Sequence, residues 1–194
     1  MKVKNKIFYQ VATDRDYKVG DVLNFGENFN GVGNRVMNSQ FCKEQPLHKL
    51  GFDYLNSKRI FKDKKLVLDL CLSLLEADFV IRELAAEDVR KEKYPNFPSR
   101  LRCMFLSETK EELLKNFAEM KKSNPEKHFQ AVAVKLNGEV FYAKEKGLKR
   151  DGLSFLANKK VAEEYWGQNQ NSTACIKEIL FEGQAEVIEI LQEK

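Results

Sequence analysis

The chain is short of the residues that break, brace or metallate a fold. Four prolines and ten glycines in 194 residues exclude a fibrous repeat and a Pro/Gly-rich disordered tract. There are only two histidines, His48 and His128, and the four cysteines, Cys42, Cys71, Cys103 and Cys175, are far apart with no C-x-x-C pair. Neither set has the spacing of a zinc site, so no metal is expected. Three of the cysteines sit inside apolar segments, and all four read as reduced core thiols of a cytosolic protein. No apolar run is long enough to span a membrane. Met-Lys-Val-Lys-Asn-Lys has the charge of a secretory leader, but Gln10, Thr13, Asp14, Arg15 and Asp16 interrupt the apolar stretch after it, so a cytoplasmic location is expected. A strong charge of one sign is missing as well. The 33 basic and 29 acidic residues leave a net +4 spread along the chain, which admits an anionic ligand but is not the clustered basic face of a nucleic-acid binder.

The residues that are present describe a soluble globular chain of one domain, residues 1–194, with 43% hydrophobic and 32% charged residues. A chain of this length hides roughly 70% of its unfolded surface. Ile7 to Ala12 reads as a first strand and Tyr17 to Leu23 as a second, shorter one. Asn24 to Arg35 is dominated by Asn and Gly and reads as a loop. Within it Gly31-Val32-Gly33 lacks both the third glycine and the preceding strand of a dinucleotide fingerprint. Leu66 to Val89 is the clearest helix, and its first half, apolar nearly all round, is expected to be a central packing element. It must end before Pro95, and Tyr94-Pro95-Asn96-Phe97-Pro98-Ser99 is a stiff extended linker. Phe129 to Leu136 and Glu139 to Tyr142 flank Asn137-Gly138, a strong hairpin signal. A short helix is expected from Asn158 to Trp166. Two more strands come after it, Cys175 to Phe181 and Ala185 to Leu191, hinged at Gly183. Six or seven strands and three helices, with hairpin connections, predict an α+β fold with a mixed or antiparallel sheet.

The stretch Arg102 to Leu114 organises this reading. Cys103 to Leu106 is a short strand that passes through Ser107 into a helix starting near Thr109, where Glu112 completes a capping-box spacing and Leu113, Leu114, Phe117 and Met120 recur at helical intervals. A hydroxyl at a strand end, faced by the free amides of a helix, suits a polar ligand. Strand alternation puts Cys103, Phe105 and Ser107 on one face and Met104 and Leu106 on the other.

Three strand-borne signals then stand in order: Phe8-Tyr9-Gln10 with Val19-Gly20-Asp21 beyond it, Met104-Phe105-Leu106-Ser107, and Lys177-Glu178-Ile179-Leu180-Phe181-Glu182-Gly183. In this order the chain resembles the ADP-ribosyltransferase superfamily, in particular the small bacterial rifamycin-modifying transferases. It also resembles an uncharacterised bacterial family, domain of unknown function 2441, with Tyr94 to Arg100 and Tyr165-Trp166-Gly167 as further shared blocks. The resemblance implies a split, mixed or antiparallel β-sheet core with flanking helices, and NAD as a substrate. It implies that Tyr9 and Gln10 lie at the adenosine ribose, where Gln10 replaces the usual His or Arg but keeps a donor and an acceptor. It makes Phe105 a wall for nicotinamide, Ser107 a contact to the neighbouring ribose and Glu178 the catalytic acid. Glu182, on the same strand face, is the weaker alternative. Arg100 and Arg102 would neutralise the pyrophosphate with their planar forks, and Tyr165 with Trp166 would cap the site.

The chemistry explains the acid. Breaking the nicotinamide–ribose bond builds positive charge on the sugar, and a fixed carboxylate stabilises it. The expected activity is therefore NAD-dependent mono-ADP-ribosyl transfer or NAD hydrolysis. The acceptor, a small molecule, nucleic acid, protein or water, stays open; Ile176 stands where arginine-directed members carry a second Gln or Glu. Two alternatives accompany this reading: a catalytically degenerate nucleotide-binding or regulatory module, suggested by Gln10 and Ile176, and RNA 2′-phosphate transfer, which calls for more basic site residues than the chain provides.

Overall fold

The computed structural model describes residues 1–39, 64–144, 148, 154–167 and 177–193. Five strands and four helices lie among them: β1 (Lys2–Thr13), β2 (Val22–Phe25), α1 (Gly31–Asn38), α2 (Lys64–Lys93), β3 (Met104–Leu106), α3 (Lys110–Ser123), β4 (Phe129–Lys144), α4 (Phe155–Gly167) and β5 (Lys177–Glu193). All strand pairs are antiparallel, in the order β1-β4-β5-β2, with β3 also paired to β5. The architecture is α+β with an open antiparallel sheet.

The expected hairpin at Asn137-Gly138 is replaced by one unbroken strand. Both edges of that stretch are occupied, since Asn137 and Gly138 face Lys4 and Val3 on β1 and Gln184 and Gly183 on β5. A turn there would forfeit two ladders at once. The Asn-Gly pair has other work. Asn137 Oδ1 accepts a hydrogen bond (3.0 Å) from the backbone amide of Asn5, at the irregularity between Lys4 and Lys6 in the β1 pairing. Gly138 stands opposite Gly183, and a Cβ on it would lie 2.2 Å from the Glu182 carbonyl oxygen. Gly183, at φ +132°, is likewise a bend inside a continuous strand and not a break between two. The two runs on either side of it thus form the single strand β5. Cys175, expected to begin the first of those two runs, lies outside the described residues, as do Cys42, His48 and Ile176.

Asn24 to Arg35 also departs from expectation, because Gly31 onward is helical. Asn30 caps α1, its Oδ1 accepting from the Gly33 amide at 2.8 Å, while its Nδ2 donates to the carbonyls of Arg100 and Cys103. The glycine density that suggests a loop serves packing instead: a Cβ on Gly33 would be 2.1 Å from the Leu101 carbonyl oxygen. At the start of α3, Thr109 Oγ1 accepts from the Glu112 amide (3.2 Å) as the spacing predicts. The Glu112 carboxylate reaches back to the Glu108 amide (3.2 Å).

Side-chain alternation divides the core between the two faces of the sheet. Phe8, Met104, Leu106, Val132, Val134, Leu136, Val140, Ile179, Phe181 and Val187 fill one face. Against the other, α2 and α4 bury Ala86, Val89, Cys103, Phe141, Leu180, Tyr165 and Trp166, and α3 packs Leu113 and Phe117 on Phe129 and Ala131. Each large apolar side chain so hidden contributes about 1.5–3 kcal/mol. β1 and β3 are separated by β4 and β5 along the ladder, yet Tyr9 and Ser107 exchange backbone hydrogen bonds of 3.1 and 2.8 Å. The sheet therefore curls, and the Phe8–Phe181 cluster lies inside the curl. α1 is held on α2 through Val36, Phe79, Val80 and Leu101.

The apolar first half of α2 is not the central packing element its composition predicts. Leu68, Leu72, Leu74 and Leu75 are each more than half exposed, and Cys71 is exposed too, so it is not a core thiol. The polar second half is the buried one.

Candidate functional site

The buried half of α2 faces β5 across the segment that follows Pro98, and charged groups meet there. Arg100, only 6% exposed, is the hub. Its Nε and Nη2 donate to the two oxygens of Glu83 on α2 (2.9 and 3.3 Å). Its Nη1 donates to the Tyr165 hydroxyl of α4 (2.8 Å) and to Glu178 Oε2 of β5. The guanidinium carbon is 5.3 Å from the ring centroid of Phe105 and 5.2 Å from that of Tyr165. The Tyr165 hydroxyl passes the connection on by donating to Glu178 Oε2 at 2.5 Å. Arg82 closes the other end, giving one hydrogen bond to Glu83 Oε1 (2.8 Å) and one to the Leu148 carbonyl (3.2 Å).

The electrostatics follow from this packing. Burial alone would raise the Glu83 carboxyl, but the charges and hydrogen bonds of Arg100 and Arg82 outweigh it and hold the group below its ordinary 4.5. Arg100 moves the opposite way. Burial disfavours its charge, and the neighbouring Tyr165, Glu178 and Glu83 more than restore it. Burial also pushes the Tyr165 hydroxyl well up, partly offset by Arg100 and reinforced by Glu178, so it remains a proton donor to the carboxylate. The Cys103 thiol is driven up by burial first of all, which keeps it an unreactive neutral group.

Glu178 differs from its partners in exposure. Its side chain is 24% accessible, against 1% for Glu83. Oε2 takes both hydrogen bonds, and Oε1 takes none among the described residues. The carboxylate is thus fixed through one oxygen, on a side chain that stays partly accessible. Phe105 faces Leu180 in the β3–β5 ladder, and Leu106 faces Ile179. Ser107 follows at the end of that ladder and, by alternation, shares the face of Phe105.

Of the residues singled out in the sequence, Arg100, Phe105, Tyr165 and Glu178 come together, and Ser107 lies on the same face of β3 as Phe105. Ser107 is buried, and its Oγ accepts from Asn116 Nδ2 at 3.3 Å. Tyr9 is joined to Ser107 through the backbone, and its ring packs toward Leu113 and Phe117. Gln10 is not brought to Glu178. Alternation turns it to the side of Phe8 and Ala12, where its Oε1 is enclosed without a hydrogen-bond partner among the described residues. Arg102 is exposed, its guanidinium 5.1 Å over the Phe29 ring. Trp166 belongs to the core, edge-on to Tyr165 at 4.7 Å, with its indole N–H on the Ala86 carbonyl. Glu182 shares the face of Glu178, but its Oε1 accepts the Ser99 amide at 2.7 Å. Burial, opposed by that bond and by Arg90, raises its carboxyl above 4.5.

Sequence reasoning missed Glu83, Arg82 and Glu87. Glu87 accepts from the Ser99 hydroxyl (2.9 Å) and takes a forked pair of bonds from Arg90, whose third donor group caps the Pro95 and Phe97 carbonyls. A signal existed. Glu83, Glu87 and Arg90 recur at helical spacing among Val80, Ala86 and Val89, which marks charge on a buried stripe.

Among the described residues, no group of three or more His, Cys, Asp or Glu side chains is arranged to hold a metal ion. No helix there is long and apolar enough to cross a membrane. Residues 8–193 match the family described as protein of unknown function, DUF2441. No curated protein matches the chain.

Proposed function

The chain belongs to the DUF2441 family, and on that premise we propose that it is an NAD-dependent mono-ADP-ribosyltransferase or NAD glycohydrolase in which Glu178 stabilises the charge that develops on ribose. The observation that carries the reading is the Glu178 carboxylate, held through Oε2 by Tyr165 and Arg100 on a side chain that remains 24% accessible. A group of that kind has little freedom to lose when a sugar hydroxyl docks on it. Cleavage of the nicotinamide–ribose bond leaves an oxocarbenium-like sugar, and a carboxylate already aimed at it needs no reorganisation as the charge appears. Phe105 and Ser107, on the same face, supply a ring for nicotinamide and a hydroxyl for the adjoining ribose. Arg100, enclosed and with its donors committed to Glu83, Tyr165 and Glu178, serves to hold the acid and not to bind pyrophosphate.

One observation favours the second reading, a nucleotide-binding or regulatory module without turnover. The Glu178 charge is shared with Arg100, and Gln10 faces away from it, so both charge stabilisation and ribose anchoring are weakened. Incubation with NAD separates the two. Nicotinamide release by the wild type that falls at least about a hundredfold in Glu178→Gln supports the enzyme, a loss in the range seen when one electrostatic stabiliser is removed. Equal release from both proteins, or none from either, overturns it; calorimetric NAD binding without release establishes the module.

A further inference from the structure

We propose that Glu83 is a positioning residue for Glu178, acting across the fold through Arg100; the kinetic consequence rests on the function proposed above, the geometric one does not. Glu83 comes from the middle of α2 and Glu178 from the start of β5, 95 positions later in the chain. They share no direct hydrogen bond among the described residues. The two are joined by one guanidinium whose Nε and Nη2 are given to Glu83 and whose Nη1 is given to Tyr165 and Glu178.

The planarity of arginine makes this a rigid coupling. The Nε edge and the Nη1 group cannot be re-aimed separately, because all the donors lie in one plane. Fixing the Nε and Nη2 side on Glu83 therefore fixes where Nη1 presents itself to Glu178. Glu83 is itself immobilised by its burial on the helix and by the second bond from Arg82. The rings of Phe105 and Tyr165 pack beside the guanidinium. Glu178, the more exposed member, has no other anchor among the described residues than Arg100 and the Tyr165 hydroxyl, and that hydroxyl also takes a bond from Arg100. One support of the acid is thus the residue that Glu83 holds, and the other, the Tyr165 hydroxyl, is bonded to that same residue.

The charges are consistent with this role. Arg82, Glu83, Arg100 and Glu178 sum to zero, and Glu83 absorbs the positive charge that would otherwise fall on Glu178 alone. Replacing Glu83 by an amide sets one donor group against Arg100 N–H groups and leaves two guanidinium charges against the single Glu178 carboxylate. Arg100 then closes further on Glu178. Glu83→Asp retains the charge but shortens the reach by one methylene, drawing Arg100 toward α2 and away from Glu178.

The test follows the carboxylate itself. In protein labelled with carbon-13 at the glutamate side-chain carboxyls, the Glu178 signal is identified by its loss in Glu178→Gln. Glu83→Gln and Glu83→Asp are expected to move that signal, whereas Glu119→Gln, on the exposed side of α3, leaves it in place. Glu83→Asp carries the test where the amide variant does not fold. In the nicotinamide-release assay, Glu83→Asp is expected to lower kcat about tenfold, equivalent to about 1.4 kcal/mol, with KM for NAD unchanged. It has no further effect in a Glu178→Gln background, because both substitutions remove the same interaction. A Glu178 signal that stays fixed in folded Glu83 variants overturns the proposal, and so does an equal loss of kcat with and without the Glu178 carboxylate. Absence of any nicotinamide release by the wild type removes the enzymatic reading alone, and the carboxylate signal still decides whether Glu83 positions Glu178.

Discussion

The two halves of α2 reverse the usual relation between composition and burial. Leu68, Leu72, Leu74 and Leu75 in the first half stand more than half exposed, while Arg82, Glu83 and Glu87 in the second are all under a tenth exposed. Apolar side chains lose only a modest transfer free energy at the surface, about 1.5–3 kcal/mol each. A buried charge without a partner costs several kcal/mol. The second half is therefore tolerable only because each charge is answered, in part from beyond the helix: Arg100 for Glu83, Ser99 together with Arg90 of the same helix for Glu87, and Glu83 with the Leu148 carbonyl for Arg82. The difference teaches that the charges of the second half are buried where partners meet them, Ser99 and Arg100 among these, beside apolar neighbours such as Val80, Ala86 and Val89, and that the pairing reaches the partly exposed Glu178.

The severest way to break that comparison is to remove the shared partner. Arg100→Ala strands Glu83 from its main partner and leaves Glu178 with Tyr165 alone. Loss of one member of a buried pair costs about 3–5 kcal/mol, which in a chain of this size lowers the melting temperature on the order of 10 °C. Thermal denaturation at neutral pH measures it. A loss under about 1 kcal/mol, the scale of an exposed pair, would show that the second half of α2 is held by its apolar neighbours and that the charges are incidental.

A milder route is acid. Because the Glu83 carboxyl is held below its ordinary 4.5 in the folded chain, its pairing stabilises the fold above that value, and the contribution is lost as pH falls through the depressed folded value. Glu182 runs in the opposite sense: its carboxyl is raised above 4.5, so protonation relieves the fold as pH falls through the raised value. The wild type should therefore lose melting temperature mainly below the ordinary carboxyl value of 4.5. Glu83→Gln, less stable at neutral pH, should show a shallower decline there, and Glu182→Gln should be relatively more stable than the wild type above 4.5. Parallel acid limbs for the wild type and Glu83→Gln would remove Glu83 as the source.

How much of this was legible in the sequence depended on whether a feature was local. The Thr109 cap, the alternation of Met104 against Phe105, and the end of α2 before Pro95 are decided within a few residues, and the structure has them where the spacing places them. The hairpin at Asn137-Gly138 failed because its alternative, a central strand with partners on both edges, depends on β1 and on Gly183, neither of which is near in sequence. α1 was hidden for the same reason, since its glycine is explained by Leu101. For the candidate site, the grouping of Arg100, Phe105, Tyr165 and Glu178 matches residues named from the resemblance, but the resemblance carried no information about Glu83. That residue lies on a helix remote from all three motifs, and its partner comes from the loop between them.

The smallest expected effect probes the other half of the helix. If the leucines of the first half are surface residues, exchanging them for a polar residue of similar length should change almost nothing. Leu72→Gln and Leu75→Gln are expected to shift stability by less than about 0.5 kcal/mol each, the range of ordinary surface substitutions. Glutamine is nearly as good a helix former as leucine, so propensity alone would not mask the result. The pair of urea titrations should show unchanged midpoints and slopes. A loss of about 2 kcal/mol or more in either variant, the scale of a buried leucine, would mean that this face is covered in solution. The contrast between the two halves of α2 would then narrow to the charges alone, with apolar and charged residues both buried and only the means of burial different.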